Sequence, residues 1–164
     1  MTIKIIVTGG TFDKKYNELN GKLYFRKTHV HEMLRLGRCA VPAKIKILMM
    51  IDSLFMTRRD RQRILKECLG SKEKNIVITH GTDTMVETAR VLGKNLKGKT
   101  VVMTGAMVPY EFGSSDGMFN LGSAVSFAQI LPPGVYIAMN GKYFTWDKVR
   151  KNRIKGEFER IIEN

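Results

Sequence analysis

Short apolar runs recur along the chain with few polar interruptions. Five of them are four to six residues long and rich in β-branched side chains: residues 3–7, 45–50, 76–79, 100–103 and 135–139. A continuous apolar run is typical of a strand that is buried on both faces. The pattern therefore predicts five strands in a sheet that helices cover on both sides.

Helical spacing of apolar residues appears between the later runs. Residues 57–69, 84–96 and 119–131 each place apolar side chains on one face. The second segment begins with Thr84 and Glu87, whose spacing predicts a capping box. Strands that alternate with helices of this length predict an α/β fold, with a doubly wound, mostly parallel sheet in a single domain over residues 1–164.

Residues 14–28 and the C-terminal residues depart from this alternation. Asn20-Gly21, between Leu19 and the sequence KLYF, has the composition of a tight β-hairpin turn. We therefore predict an N-terminal hairpin flap outside the sheet. The sequence RIKGEFERIIEN, residues 153–164, predicts a short polar helix or a tail.

The chain is strongly basic, with 28 Lys and Arg residues against 15 Asp and Glu and a net charge of +13. Such an excess favours anionic partners, among them nucleic acids and membrane surfaces. The basic residues are scattered along the sequence, however, and no aromatic RNA-binding platform accompanies them. We therefore expect solvated basic faces rather than a nucleic-acid partner.

Several other protein classes are disfavoured by the sequence. Cys39 and Cys68 form neither a disulfide framework nor a metal-ligand cluster, and the N-terminus MTIKIIVTGG has no signal-peptide pattern. No apolar run reaches the length of a bilayer-spanning helix. His29 and His31 have no evident third ligand, which favours a solvated loop over a metal site. We expect a cytoplasmic protein with no cofactor, no metal and no membrane partner.

Glycines and small polar residues follow each predicted strand. Because ligands bind beyond the carboxyl ends of the strands in open α/β sheets, these loops are the candidate site. Glycines there let a substrate approach backbone N–H groups closely. The loop sequences are Thr8-Gly9-Gly10-Thr11, Asp52-Ser53, His80-Gly81-Thr82-Asp83, Thr104-Gly105-Ala106 and Asn140-Gly141.

Two familiar motifs are rejected. The sequence GKNLKGKT, residues 93–100, matches the phosphate-loop pattern, but it closes a predicted helix and opens a strand, the reverse of a true phosphate loop. We interpret its glycines as a helix stop and a turn. No serine elbow of the G-x-S-x-G kind is present, and His80 is expected to orient its loop by hydrogen bonds rather than act as a base.

After these exclusions, the threonines of the strand-end loops remain as candidate nucleophiles. A threonine hydroxyl is a weak nucleophile until a base takes its proton. Asp83, beside Thr82, is suited to hold a lysine ammonium or a substrate amine, and a lysine amine is a candidate base. Lys142, Lys148 and Lys151 all follow the fifth predicted strand, and the sequence pattern does not choose among them.

Five segments in order carry a resemblance to a known family. They cover nearly the whole chain: IVTGGTFDKKY (6–16), DSLFMT (52–57), ITHGTDTMVETA (78–89), VVMTGAMVP (101–109) and SDGMFNLGSAV (115–125). The chain resembles the N-terminal domain of bacterial-type L-asparaginases. The combination of TGGT with HGTDTM is the most specific part of the match.

The resemblance implies roles for individual residues. Thr11 matches the primary nucleophile, and Tyr16 matches a tyrosine of the family's mobile loop. Thr82 and Asp83 match the second threonine and the aspartate that binds the substrate α-amino group, and Lys151 matches the lysine grouped with them. The implied substrate-binding set consists of Gly10, Asp52, Ser53, Gly81, Thr82, Asp83 and Ala106.

The chain also departs from the family pattern. Full-length members carry a second domain that supplies a glutamate to the site, and this sequence ends before such a domain. Leu54 and Phe55 stand where many members have polar residues, next to Ser53, which matches the α-carboxylate ligand. We expect a short, single-domain member that assembles as a homodimer or homotetramer, because it lacks the wall that a second domain provides.

Three functions are compatible with this pattern. The leading hypothesis is an amidohydrolase that converts L-asparagine to L-aspartate and ammonia, with glutamine as a further candidate substrate. The second is an asparaginase-like component of a tRNA-dependent amidotransferase, which passes the ammonia on. The third is a non-catalytic module that binds an amino acid.

Overall fold

The predicted alternation of strands and helices is present in the structure, a computed structural model that describes residues 1–162. The strands are β1 (Ile3–Gly9), β2 (Lys14–Asn17), β3 (Lys22–Phe25), β4 (Ala43–Ile51), β5 (Asn75–Thr79), β6 (Thr100–Thr104), β7 (Gly134–Met139), β8 (Lys142–Thr145), β9 (Val149–Asn152) and β10 (Glu157–Arg160). The α-helices are α1 (Val30–Leu36), α2 (Arg58–Leu69), α3 (Met85–Asn95) and α4 (Gly117–Ile130).

Six strands form one sheet in the order β4-β1-β5-β6-β7-β8. All neighbours are parallel except β8, which runs antiparallel to β7. The five apolar runs lie in the five parallel strands, so the predicted mostly parallel, doubly wound sheet is confirmed. Strand β8 is absent from the sequence prediction, although Asn140-Gly141, both with positive φ, form the two-residue turn typical of a hairpin.

Helices cover both faces of the sheet, with α2 and α3 on one face and α1 and α4 on the other. The connections from β4 to β5, from β5 to β6 and from β6 to β7 all move in the same direction across the sheet. If these three crossovers had the same hand, α2, α3 and α4 would lie on the same face of the sheet. Because α4 lies on the other face, its crossover has the opposite hand, against the strong preference for right-handed connections. The chains that leave β5 and β6 therefore diverge and open a crevice at the carboxyl ends of these strands.

One predicted helix cap is wrong. Thr84 precedes α3 without a side-chain capping bond, because its hydroxyl donates to the Ser53 carbonyl oxygen at 2.8 Å instead. The capping box predicted for Thr84 and Glu87 therefore does not form. A capping box does occur at α2, where Thr57 and Asp60 bond reciprocally. The sequence pattern T-x-x-D at the start of that helix carries the missed signal.

The flap and the C-terminal residues each form a separate two-stranded hairpin. Strands β2 and β3 pair antiparallel around Asn20-Gly21, so the predicted hairpin is confirmed. The helix or tail predicted at the C-terminus is wrong, because β9 and β10 pair and bury Val149 and Phe158 in the same apolar cluster as α3. The end of that prediction, residues 163–164, lies outside the described residues.

The match to the phosphate-loop pattern has a structural explanation. Gly93 lies inside α3, where an added side chain would overlap the indole of Trp146. Gly98 has a φ of +70° in the turn before β6. The rejection is confirmed, and Gly98 is the predicted turn, but Gly93 is a packing contact rather than the predicted helix stop.

Candidate active site

The loops that follow β1, β4, β5 and β6 meet at the carboxyl edge of the sheet. A side chain on Gly10 would overlap the backbone of Gly81, and a side chain on Gly81 would lie 2.5 Å from Ser53 Oγ. A side chain on Gly105, after β6, would overlap the His80 carbonyl oxygen. The structure thus brings together four of the five predicted loops, and the fifth is the turn between β7 and β8.

The first loop bends sharply after β1. Gly9 and Gly10 have φ angles of 101° and 84°, which side chains other than glycine rarely allow. The bend places Thr11 at the start of a single 3-10 turn, where Phe12 is fully buried and anchors the turn in the core. Thr11 itself is half-buried and so remains partly accessible.

Lys151 joins two candidate groups of the third loop. Its Nζ donates to Thr82 Oγ1 and to Asp83 Oδ1, both at 2.8 Å. The lysine side chain is 10% exposed and Thr82 is buried, whereas the Asp83 side chain is 35% exposed, so the carboxylate borders the solvent. Of the three lysines that the sequence leaves open, the structure therefore brings Lys151 to this loop. Lys151 lies on β9, a strand that the sequence pattern does not indicate.

Arg153 contacts the same aspartate, and no sequence signal points to it. Its Nη1 lies 3.2 Å from Asp83 Oδ1, and its Nη2 donates to the Asp83 carbonyl oxygen at 3.2 Å. The Arg153 side chain is 65% exposed, so this is a weak ion pair at the rim. Asp83 Oδ2 makes no hydrogen bond within residues 1–162 and is available to a ligand.

The loop after β6 is held by a carboxylate at the start of α4. Asp116 accepts hydrogen bonds from the backbone N–H groups of Met107 and Val108, at 3.0 Å each. Met107 Sδ in turn lies 3.6 Å from Thr82 Oγ1. Ala106 is fully buried, so it offers a substrate its backbone rather than an exposed side chain.

The Asp52-Ser53 loop is tied to its neighbours on two sides. Ser53 Oγ accepts a hydrogen bond from the Thr84 backbone N–H at 3.3 Å, and Ser53 is only 1% exposed. Asp52 accepts from the Leu54 N–H at 3.0 Å and forms an ion pair with Lys14 on the flap. Burial raises the pKa of Asp52, but the Lys14 and Leu54 contacts outweigh it and hold the pKa below its usual value.

Buried polar groups anchor both ends of the flap. Asp13 is fully buried and accepts hydrogen bonds from Thr28 Oγ1 at 3.1 Å and from the His29 N–H at 2.8 Å. Glu111 pairs with Lys15 and lies 3.2 Å from His29 Nε2. Burial raises the pKa of Asp13 despite these hydrogen bonds. The solvated loop expected at His29 is therefore wrong, because this residue is 3% exposed and adjoins α1, a helix that the sequence analysis does not predict.

Tyr16 lies on β2, the first arm of the flap. It is an exposed residue, 53% accessible, and its hydroxyl lies 3.9 Å from an ideal Cβ position on Gly21 near the hairpin tip. The hydroxyl makes no hydrogen bond among the residues that the structure describes. Tyr16 and Thr11 therefore form no hydrogen bond in this arrangement of the flap.

His80 orients its loop through hydrogen bonds, as predicted. Its Nδ1–H donates to the Gly81 carbonyl oxygen at 2.7 Å, and its Nε2 accepts from Thr88 Oγ1 at 2.8 Å. This arrangement satisfies the neutral ring. Complete burial lowers the pKa of His80 to about 4, so the residue stays neutral at pH 7.

We expect the stability of the protein to fall on acidification from about pH 6.5 to pH 4 because of His80. In this window the unfolded chain binds a proton at His80 that the folded chain does not bind, so the folded state loses stability as pH falls. The loss reaches about 3 kcal/mol near pH 4. His80→Asn, measured by urea unfolding across this range, should show a flatter pH dependence. Equal slopes for the two proteins would contradict the assignment.

Comparisons with known proteins address the family directly. A family model described as the N-terminal domain of asparaginase matches residues 2–157. The chain belongs to the asparaginase family. The predicted resemblance is thereby confirmed over nearly the whole sequence.

Curated relatives of this asparaginase-family chain include two classes of amide-processing protein. It is 29% identical over 157 residues to an L-asparaginase of Thermococcus kodakarensis, covering 92% of this chain and 48% of the relative. It is 33% identical over 152 residues to a component of the glutamyl-tRNA(Gln) amidotransferase of Pyrococcus abyssi, covering 85% of this chain and 34% of the relative. The chain thus spans about half the length, or less, of these relatives.

Solved structures confirm the fold of this asparaginase-family chain. The L-asparaginase of Thermococcus kodakarensis superposes with a TM-score of 0.85 at 27% identity, over 98% of this chain and 51% of that one. A structure named as a probable cytoplasmic L-asparaginase of Campylobacter jejuni superposes with a TM-score of 0.80 at 29% identity, over 93% of this chain and 50% of that one.

Two features are absent from residues 1–162. No helix in this range combines the length and the apolar character that a bilayer crossing requires. No group of three or more His, Cys, Asp and Glu side chains in the same range is arranged to hold a metal ion.

Proposed function

We propose that this chain hydrolyses the side-chain amide of L-asparagine, with Thr11 as the nucleophile. The observation that carries the proposal is the Lys151–Thr82–Asp83 cluster, with both Lys151 contacts at 2.8 Å, beside the loop that presents Thr11. A nucleophile, a candidate base and an oriented carboxylate within one crevice are the parts that amide hydrolysis needs. The family membership supports the same chemistry.

The reaction proceeds through two half-reactions. In the first, Thr11 Oγ bonds to the amide carbon, the carbon–nitrogen bond breaks, and ammonia leaves with the proton that Thr11 loses. In the second, water attacks the acyl-enzyme, aspartate leaves, and Thr11 regains a proton. As water attacks, the Thr82 hydroxyl would take the proton of the water and pass its own proton to the Lys151 amine, which lies 2.8 Å away.

Backbone donors are available for the oxyanion. The Gly10 N–H is unavailable, because it donates to the Ile51 carbonyl oxygen at 3.1 Å. The N–H groups of Thr11 and Thr82 make no hydrogen bond within residues 1–162, and we assign them this role. An oxyanion donor contributes roughly 10²–10³-fold to the rate.

Ammonia release tests the proposed function. Purified chain should release ammonia and aspartate in equal amounts from L-asparagine, with L-glutamine assayed in parallel to define the amide preference. No release above a Thr11→Ala control, at protein concentrations in the micromolar range, would contradict the hydrolase. A binding signal for aspartate in that case would favour the non-catalytic module.

Amide hydrolysis for a partner is the second candidate. It is favoured by the Pyrococcus abyssi relative, whose name is that of an amidotransferase component. Both functions begin with the same release of ammonia and differ in its recipient. Ammonia that appears freely in solution without any partner or tRNA supports the independent hydrolase. Release that begins only when a partner protein and tRNA are added would support the amidotransferase.

We expect Tyr16→Phe to lower kcat at least tenfold while changing KM little. The Tyr16 side chain is exposed on the flap, and closure of the flap would bring its hydroxyl to the nucleophile and exclude water. Tyr24→Phe, on the other arm of the flap, is the matched control. Steady-state kinetics check this expectation. An unchanged kcat in Tyr16→Phe would make the flap a cover only and leave Thr11 to another activator.

We further propose that the chain works as a homodimer or homotetramer in the cytoplasm. Exposed apolar side chains surround the crevice, among them Leu54, Phe55, Met107 and Ile154, and such a rim is typical of an interface. The Campylobacter jejuni neighbour, named as cytoplasmic, supports the location. Light scattering should give a mass of at least two chains, and Phe55→Ser should reduce it. An active monomer would contradict the assembly.

A further inference from the structure

Helix α2 gathers basic side chains that the sequence separates. Residues three, four, seven or eight positions apart share one side of a helix. The exposed side of α2 carries four cations, and we call them the α2 basic face: Arg58, Arg59, Arg63 and Lys66. The scattered distribution inferred from the sequence therefore becomes a contiguous cationic surface in the folded chain.

The acids of the same layer are engaged elsewhere. Asp60 accepts hydrogen bonds from the backbone N–H and hydroxyl of Thr57, at 2.9 and 2.7 Å. Glu87 lies 2.9 Å from the buried Arg61, which is not part of the α2 basic face. Glu67 is held by two lysines of the neighbouring strands, at 2.6 and 2.8 Å. Glu67 and Glu87 are therefore paired with cations outside the α2 basic face, and Asp60 is held mainly by hydrogen bonds from Thr57.

The α2 basic face has few counter-charges. Within residues 1–162, Arg58, Arg59 and Lys66 form no ion pair, and Arg63 approaches only Asp60, at 3.8 Å. On the opposite face of the sheet, α4 contains no charged residue, and α1 carries charged residues of both signs. A contiguous cationic surface attracts a polyanion more strongly than the same charges do when they are scattered.

We propose that the α2 basic face, extended by Arg90 and Lys94 of α3, binds the phosphate backbone of a double-stranded nucleic acid. Both α3 residues are exposed and lie in the same helical layer. Helix α2 has twelve residues and is about 18 Å long, which spans several phosphates of a duplex. The surface goes beyond amide hydrolysis and does not depend on it.

The side chains on α2 decide which polyanion fits. Its exposed residues include no aromatic ring, so the face lacks the stacking platform that single strands require. Leu69, at the C-terminal end, is its one exposed large apolar residue, so the helix lacks the apolar side with which a helix enters a membrane. Backbone contacts by arginine and lysine alone fit a duplex that is bound independently of sequence.

Fluorescence anisotropy with a labelled duplex of two helical turns tests the proposal, with the duplex prepared as DNA and as RNA. The test variant is Arg58→Gln/Arg59→Gln/Arg63→Gln/Lys66→Gln. The control, Arg35→Gln/Arg38→Gln/Lys148→Gln/Arg160→Gln, removes the same charges at exposed positions on other elements. Circular dichroism and unfolding temperature show that both variants are folded. Each protein is titrated between about 50 and 200 mM salt.

The wild type should bind either duplex. A plot of the logarithm of its binding constant against the logarithm of the salt concentration should have a slope steeper than about −3, since each phosphate contact contributes about −0.9. The test variant should lose most of that slope and on the order of 100-fold in affinity at low salt, whereas the control should keep both. Equal losses in the two variants would overturn the proposal, because net charge alone would then explain binding. So would stronger binding to anionic phosphatidylserine vesicles than to either duplex, with the same sensitivity to the α2 substitutions.

Discussion

Thr11→Ala should lower kcat for asparagine hydrolysis by about 10⁴-fold or more. The substitution removes the hydroxyl that forms the acyl-enzyme, and no other hydroxyl occupies the start of the 3-10 turn after Gly10. Folding should be unaffected, because Phe12 and Asp13, rather than Thr11, provide the buried contacts of this turn. Ammonia release measures the rate, and aspartate binding by calorimetry should persist.

Thr11→Ser is the matched control, because it keeps the hydroxyl and removes only a methyl group. It should retain a substantial fraction of the activity, and it should form a covalent adduct with an electrophilic asparagine analogue that Thr11→Ala cannot form. If Thr82→Ala abolished the adduct while Thr11→Ala formed it, the nucleophile would be Thr82. Wild-type turnover in Thr11→Ala would also remove Thr11 from this role.

Lys151→Met should lower kcat by roughly 10²–10⁴-fold, the usual contribution of a general base. Methionine fills a similar volume but removes the amine that lies 2.8 Å from Thr82 Oγ1 and Asp83 Oδ1. Asp83 keeps its contact with Arg153 at 3.2 Å, so the variant should fold without an unpaired carboxylate. Because Thr11 remains, acylation should be less affected than release of the acyl-enzyme.

The controls for Lys151→Met come from the same part of the chain. Lys142→Met and Lys148→Met remove exposed amines that make no ion pair within residues 1–162, and both should retain wild-type kcat. Pre-steady-state assays separate the two half-reactions, since slow deacylation leaves an initial burst of ammonia. A Lys151→Met enzyme with normal turnover would show that Thr82 needs no base.

The parallel strands and the loops behind them could be predicted because they depend on local sequence. A strand buried on both faces must be apolar at successive positions, and the glycines after it mark where the backbone turns. The 0% exposure of Ile5, Ile6 and Val7 in β1 illustrates the first rule. The positive φ angles of Gly9 and Gly10 illustrate the second. The approach of the strand-end loops follows from parallel strands alone.

The helix caps and hairpins were partly predictable. The turn Asn20-Gly21 predicted the flap, because the turn and the two strands that flank it are adjacent in sequence. The same dipeptide at Asn140-Gly141 was interpreted as a site loop, although it forms the turn into β8. The error at Thr84 has a tertiary cause, because the Ser53 carbonyl oxygen competes for the hydroxyl that would otherwise cap the helix.

The five parallel strands, the flap turn and the loop that carries Thr11 could be predicted, because periodicity and turn composition are local properties of the sequence. The contact between Lys151 and Thr82 could not, because it joins residues distant in sequence. That contact depends on the burial of Val149 and Phe158, which docks β9 and β10 against the rest of the core. The tertiary structure also decided which face of the sheet α4 covers and which basic residues share one surface, because both depend on contacts between residues distant in sequence.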